Sequence, residues 1–115
     1  NFWTTNAVYC WILWVSSNMI SGSLRGQDVV ARWGGEEFLL LLPDTNNTEA
    51  FSLAERIRKE VEDLTMQFGS DSIKITMTFG VAEYSDELGI EGTIKTADMA
   101  LLQGKEQGRN RVVLL

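Results

Sequence analysis

The chain has 115 residues, 44% of them apolar and 23% charged, with a formal net charge of −6. This fits one domain with one core, and the acidic balance excludes DNA or RNA as an extended partner, which would show as a basic excess. Histidine is absent and Cys10 is the single cysteine, which also excludes His-based triads, most zinc sites and an internal disulfide, and makes the reducing cytoplasm the expected location.

Residues 1 to 20 are rich in Trp, and no charge precedes Arg25. Trp3, Ala7, Cys10, Trp11 and Trp14 recur at three- and four-residue spacing, which predicts one face of a buried helix. The longest apolar run, "VYCWILWV" at residues 8–15, is far short of the roughly 18 residues of a spanning helix, so no membrane span is expected. No positive charge precedes the run, which argues against a signal peptide. The first residue is Asn, as expected of a piece of a longer protein.

"DVVARW" (28–33) reads as a short strand and "FLLLL" (38–42) as a fully buried one. "GGEE" between them is a hairpin-type connection, because Gly tolerates positive φ, and Pro43 ends the second strand. Asn46 with Glu49 three residues later forms a capping-box pattern. Ala50, Leu53, Ala54, Ile57, Val61 and Leu64 then line one helix face, with Glu55, Arg58, Lys59 and Glu62 on the other. In "SIKITMTFGVAEY", Ile73, Ile75, Met77 and Phe79 alternate with polar residues, predicting a half-buried strand. A loop "SDELG" leads to a second helix from about Thr93, closed by Gly108, and "RVVLL" is a final strand.

The corner "GGEEF" invites a chemical reading. Glycine lets backbone approach a ligand closely, and adjacent carboxylates suit a hard cation such as Mg²⁺ (or Mn²⁺), which takes oxygen ligands and bridges to phosphates. A solvated turn with surface charges is the plainer alternative.

The wider string "LRGQDVVARWGGEEFLLLLPDT", followed in order by "AERIRKEVE", "TMTFGVAEY" and "TADMALLQGKEQGRNRVV", resembles the GGDEF domain family, the diguanylate cyclases, in its GGEEF form. The likeness runs from Leu24 to Val113, within a single domain of residues 1–115 whose residues 1–23 are aberrant. The resemblance implies an α/β fold: a central sheet flanked by helices, related to polymerase palms and nucleotide cyclases. It implies a reaction in which two GTP-loaded domains face each other as a homodimer, each 3′-hydroxyl attacks the other's α-phosphate, and cyclic di-GMP forms, with divalent metal neutralising charge. It assigns Gly34 and Gly35 to the ribose and phosphates, Glu36 and Glu37 to metal and catalysis, Lys105 and Arg109 to the phosphates, and Asn6 to guanine. Lys105 and Arg109 are four apart, so a helix would put them on one side. Arg25 and Asp28, an R-x-x-D pair just ahead of the corner, would form the cyclic di-GMP inhibitory site, assisted by Arg56. The planar Arg fork suits guanine or phosphate.

The N-terminal segment departs from the family. Set against the family's first helix, Trp3 stands for Lys, Ala7 for Asp, Cys10 for Gly, Trp11 for His, Trp14 for a second Gly and Val15 for a guanine-reading Asp. The first strand and its metal-binding Asp are expected to be missing, which would leave a strand edge open to dimerisation. Leu102 replaces a Tyr and Gly104 an Ala. Decay of the pocket, engineering or truncation, and loss of stretches of chain all fit this pattern. The expected activity is GTP condensation in impaired form. The alternatives are an inactive cyclic di-GMP receptor using the R-x-x-D site, or a structural and oligomerisation module built on the Trp-rich segment.

Overall fold

The structure, a computed structural model, describes residues 6–11, 25–26, 28–32 and 37–115. In chain order the elements are β1 (Asn6–Trp11), β2 (Val29–Arg32), β3 (Glu37–Leu42), α1 (Asn47–Asp63), β4 (Met66–Phe68), β5 (Asp71–Ile73), β6 (Thr78–Glu83), α2 (Gly89–Glu106) and β7 (Val112–Leu114). The main sheet has the order β2-β3-β1-β6-β7, and only the β6–β7 pair is parallel.

The middle strand corrects the expectation of a helix. Residues 6–11 pair antiparallel with β3 on one side and β6 on the other. A first strand is therefore present, and Asn6–Trp11 contains no carboxylate. The physical reason lies in the pattern. An apolar run has no contrast by which a period of 3.6 can be told from a period of 2, and two strands with open inner edges supply the backbone partners that decide it. Ala7 and Val8 point to opposite faces and both are buried, as a central strand covered on both sides requires. Trp3, Trp14 and Val15 lie outside the described residues.

The two faces bury separate cores. On one, Ala50, Ala54, Ile57 and Val61 of α1 pack on Val8, Phe38, Leu40, Phe79 and Val81. On the other, Ala97 and Leu101 of α2 pack on Ala7, Leu39 and Ala82. Helices thus sandwich the sheet. That explains a second correction: β6, expected to be half-buried, is buried on both faces over Thr78–Ala82. Its predicted beginning belongs elsewhere. Gly69, at φ +63°, turns the chain so that β4 and β5 form a separate hairpin, and Ile73 is exposed there.

Both helices depart at their ends from the reading of the sequence. α1 starts as expected: the Asn46 side chain accepts from Glu49 N at 2.9 Å, and Glu49 Oε1 accepts from Asn46 N at 3.2 Å. It stops at Asp63, which leaves Leu64 exposed as the C-cap. α2 starts at Gly89, four residues before Thr93, where Gly89 N bonds Ser85 O at 2.9 Å.

On the outer face of α1, Arg58 donates to Glu55 and holds that carboxyl below its ordinary range. A lowered folded-state pKa contributes stability that is present above the ordinary value of about 4.5 and is lost as pH falls through the lowered value. Glu55→Gln should therefore be less stable than the parent at pH 7, by under about 1 kcal/mol. The difference in thermal midpoint should shrink as pH falls below about 4.5; a difference that stays equal across that range would refute the pairing.

Candidate functional site

Two groups of the expected residues come together, at opposite ends of β3. At its start, Glu37 lies opposite Trp11 of β1, which lies opposite Thr78 of β6. The hairpin that precedes it, with Gly34, Gly35 and Glu36, is outside the described residues. Lys105, in the last turn of α2, reaches Glu37 Oε1 at 3.3 Å, both side chains being partly exposed. The chain then leaves the helix through three successive positive φ values: Gly108 (120°), Arg109 (62°) and Asn110 (49°). Arg109 is thus past the helix end and does not share a helical face with Lys105, which corrects the four-residue spacing argument. Gly108 is the reason, since it lets the chain enter the left-handed region where a helix cannot continue.

The left-handed backbone at Asn110 is held from two sides. Asn110 N donates to the hydroxyl of buried Thr78 at 3.0 Å, and Arg58 Nη1 donates to Asn110 Oδ1 at 2.9 Å. Asn110 Nδ2 donates to Glu62. Strain of this kind persists only where surrounding bonds over-determine it, and here α1, β6 and α2 all meet the loop that carries Arg109.

The described residues at this corner do not fit a divalent cation. β1 offers no carboxylate beside Glu37, whose described partner is an ammonium. Among the described residues no group of three or more His, Cys, Asp or Glu side chains could hold a metal. Asn6 is not brought here. It pairs with Leu42 and Glu83 at the other end of β1, about 17 Å from the Trp11 end at strand rise.

At the end of β3 lies a cavity of about 250 Å³. Arg25, Asp28 and Arg56, the three residues of the expected inhibitory site, all line it, joined by Leu42, Thr45, Glu49 and Leu53. The R-x-x-D spacing closes a turn in which Asp28 Oδ2 accepts from Arg25 N at 2.8 Å and Asp28 N donates to Arg25 O at 3.1 Å. The Asp28 side chain is only 2% exposed, while that of Arg25 is 47% exposed. Arg25 Nη2 also donates to Pro43 O at 2.8 Å and to the Thr45 hydroxyl. One nitrogen of the guanidinium is therefore tied to the wall, and Asp28 fixes the turn behind it. Arg56 enters from α1, which places Glu49, Leu53 and Arg56 on one helix face at i, i+4 and i+7. Leu42, Thr45, Glu49 and Leu53 were not singled out for a site. Glu49 already had a local explanation as a cap, and its seven-residue offset from Arg56 was the available signal.

The family description "Diguanylate cyclase, GGDEF domain" matches residues 12–111. Diguanylate cyclase A of Treponema denticola is 38% identical over 99 residues, 85% of this chain and 27% of that protein. Response regulator PleD of Caulobacter vibrioides is 36% identical over 97 residues, 82% of this chain and 21% of that protein. The chain thus spans about a quarter of the length of these relatives. Among solved structures, the diguanylate cyclase SiaD from Pseudomonas aeruginosa, in complex with its activator SiaC, superposes with a TM-score of 0.87 at 29% identity, covering 98% of this chain and 50% of that one. The GGDEF domain of DgcB from Caulobacter crescentus, solved in complex with c-di-GMP, also gives 0.87, covering 96% of this chain and 77% of that one; at 24% identity this likeness concerns the fold. With the sheet, the R-x-x-D pocket and the Glu37–Lys105 corner in these places, the chain belongs to the GGDEF domain family of the diguanylate cyclases.

Proposed function

We propose that the chain is a single GGDEF-type domain that recognises cyclic di-GMP through Arg25, Asp28 and Arg56, and in which condensation of two GTP is impaired. The observation that carries the reading is the convergence of those three residues, from two separate segments, on one cavity. Two guanidiniums suit a ligand with two phosphodiester charges and guanine acceptor atoms. The family generally uses Mg²⁺ or Mn²⁺, which when bound neutralises the charge developing on the phosphates. In this chain, β1 has no carboxylate to share such an ion with the GGEEF corner. Besides its glutamates the corner keeps two cations: Lys105, and Arg109 on its braced loop, are suited to holding a triphosphate.

No described helix is long and apolar enough to cross a membrane. The cytoplasm, where GTP is available, is the proposed site of action, and a homodimer is the proposed form, since condensation in the family's manner needs two domains that each hold one GTP.

The test has two arms. Titration calorimetry with cyclic di-GMP should show saturable binding to the folded chain. Incubation with GTP and Mg²⁺, and separately Mn²⁺, followed by ion-exchange chromatography, should show neither cyclic di-GMP nor its linear intermediate. Product in the second arm would overturn the impairment. Absence of binding in the first would overturn the receptor reading.

A further inference from the structure

The cavity beside β3 contains a group that a pocket for a doubly negative ligand does not need. Besides its two arginines it holds two carboxylates, Asp28 and Glu49. Asp28 is accounted for: it is buried, and both of its oxygens are engaged by Arg25, one by the backbone N–H and the other by the guanidinium. Glu49 is exposed at the rim, and the helix cap uses Oε1 alone. A carboxylate facing phosphodiester charge is unfavourable, unless it is placed to accept N–H bonds from the ligand.

Guanine offers such bonds. Its Hoogsteen edge presents the acceptors O6 and N7, which match an Arg fork. Its Watson–Crick edge presents two donors, N1–H and the N2 amino group, which match a carboxylate's two oxygens. Glu49 and Arg56 stand at the two ends of an i, i+4, i+7 row, about 10 Å apart along the helix. Leu53 between them is an apolar, half-buried platform on which a base can lie. Adenine would set a ring-nitrogen lone pair against the same carboxylate.

We propose that Glu49 is the residue by which this pocket selects guanine over adenine. The assignment rests on the reading that the pocket takes cyclic di-GMP. It gives Asp28 the part of holding Arg25 and gives Glu49 the part of reading the base.

The test compares the whole chain with Glu49→Gln, titrated with cyclic di-GMP and with cyclic di-AMP. Gln at this position of a capping box preserves the cap, so the thermal midpoint should be unchanged. It also exchanges one acceptor oxygen for an N–H₂ donor, which opposes guanine's donors. The parent chain should prefer cyclic di-GMP. Glu49→Gln should lose about tenfold to a hundredfold in affinity for cyclic di-GMP and keep its affinity for cyclic di-AMP, so that the preference collapses. A role confined to the helix cap would leave selectivity untouched: if Glu49→Gln binds cyclic di-GMP as the parent does, the assignment is overturned while the pocket's function stands. If the folded parent chain binds no cyclic di-GMP, the proposed function itself fails and the assignment falls with it.

Discussion

Gly80→Ala is expected to destabilise the chain by about 3–5 kcal/mol, a large part of the stability of a domain this size. A Cβ built at Gly80 would sit 2.1 Å from Ala97 O, 2.3 Å from Leu101 N and 2.9 Å from Leu101 Cα. All three are backbone atoms of α2, and the first two are the acceptor and donor one helical turn apart. No rotamer change relieves this contact. The helix must lift off β6, and lifting it opens space beneath Ala97 and Leu101, both now fully buried. Gly92→Ala is the control. Its Cβ would meet Leu88 Cβ at 3.1 Å, an atom that gives only by a small shift of the exposed N-cap residue itself, and against that cost Ala is the better helix former by about 1 kcal/mol. The urea midpoint should therefore fall far more for Gly80→Ala than for Gly92→Ala. A Gly80→Ala protein within about 1 kcal/mol of the parent would show that α2 does not rest on the sheet this closely.

Asp28→Ala is expected to weaken cyclic di-GMP binding by about a hundredfold, the loss of a charge-assisted hydrogen-bonded pair, although its carboxylate is buried and faces away from solvent. The effect runs through Arg25. Without Asp28 the Arg25 backbone N–H loses its 2.8 Å acceptor and the guanidinium its counter-charge. Among the described contacts the guanidinium is then held by Nη2 alone, on Pro43 O and the Thr45 hydroxyl, while the turn keeps its backbone bond from Asp28 N to Arg25 O. Asp28→Asn separates geometry from charge. The amide oxygen can still accept from Arg25 N, so an intermediate loss is expected. Calorimetric titration of the three proteins provides the measurement, with circular dichroism confirming that each is folded. Equal affinities across the series would remove Asp28, and the turn it closes, from any part in binding.

Much of this protein was legible without its fold, wherever the signal was local. The start of α1 follows from Asn46 and Glu49, three residues apart, because a cap is made by neighbours in sequence. The burial of β3, complete over Phe38–Leu42 except for half-buried Leu41, follows from "FLLLL" between a glycine corner and Pro43. Arg25, Asp28 and Arg56 were reached through resemblance to the family, and the cavity brings all three together. The Glu37–Lys105 pair joins two residues of one expected site that lie 68 positions apart.

Other features depended on neighbours distant in the chain. Residues 6–11 carry an apolar pattern that suits a helix as well as a strand, and only the open edges of β3 and β6 on either side select the strand. Whether β6 is half or fully buried was set by α2 covering its second face. The left-handed exit that carries Arg109 is braced by Thr78, Arg58 and Glu62, none of them local to it. Glu49 already had a local role as a cap, which hid its place in the wall of the cavity that Arg25 also lines until the turn and the helix were set against each other. By itself the sequence determined the elements whose hydrogen bonds close within a few residues, and the family to which they belong. The tertiary structure decided which faces are covered and which side chains share a cavity, because backbone pairing and burial there are supplied by residues tens of positions away.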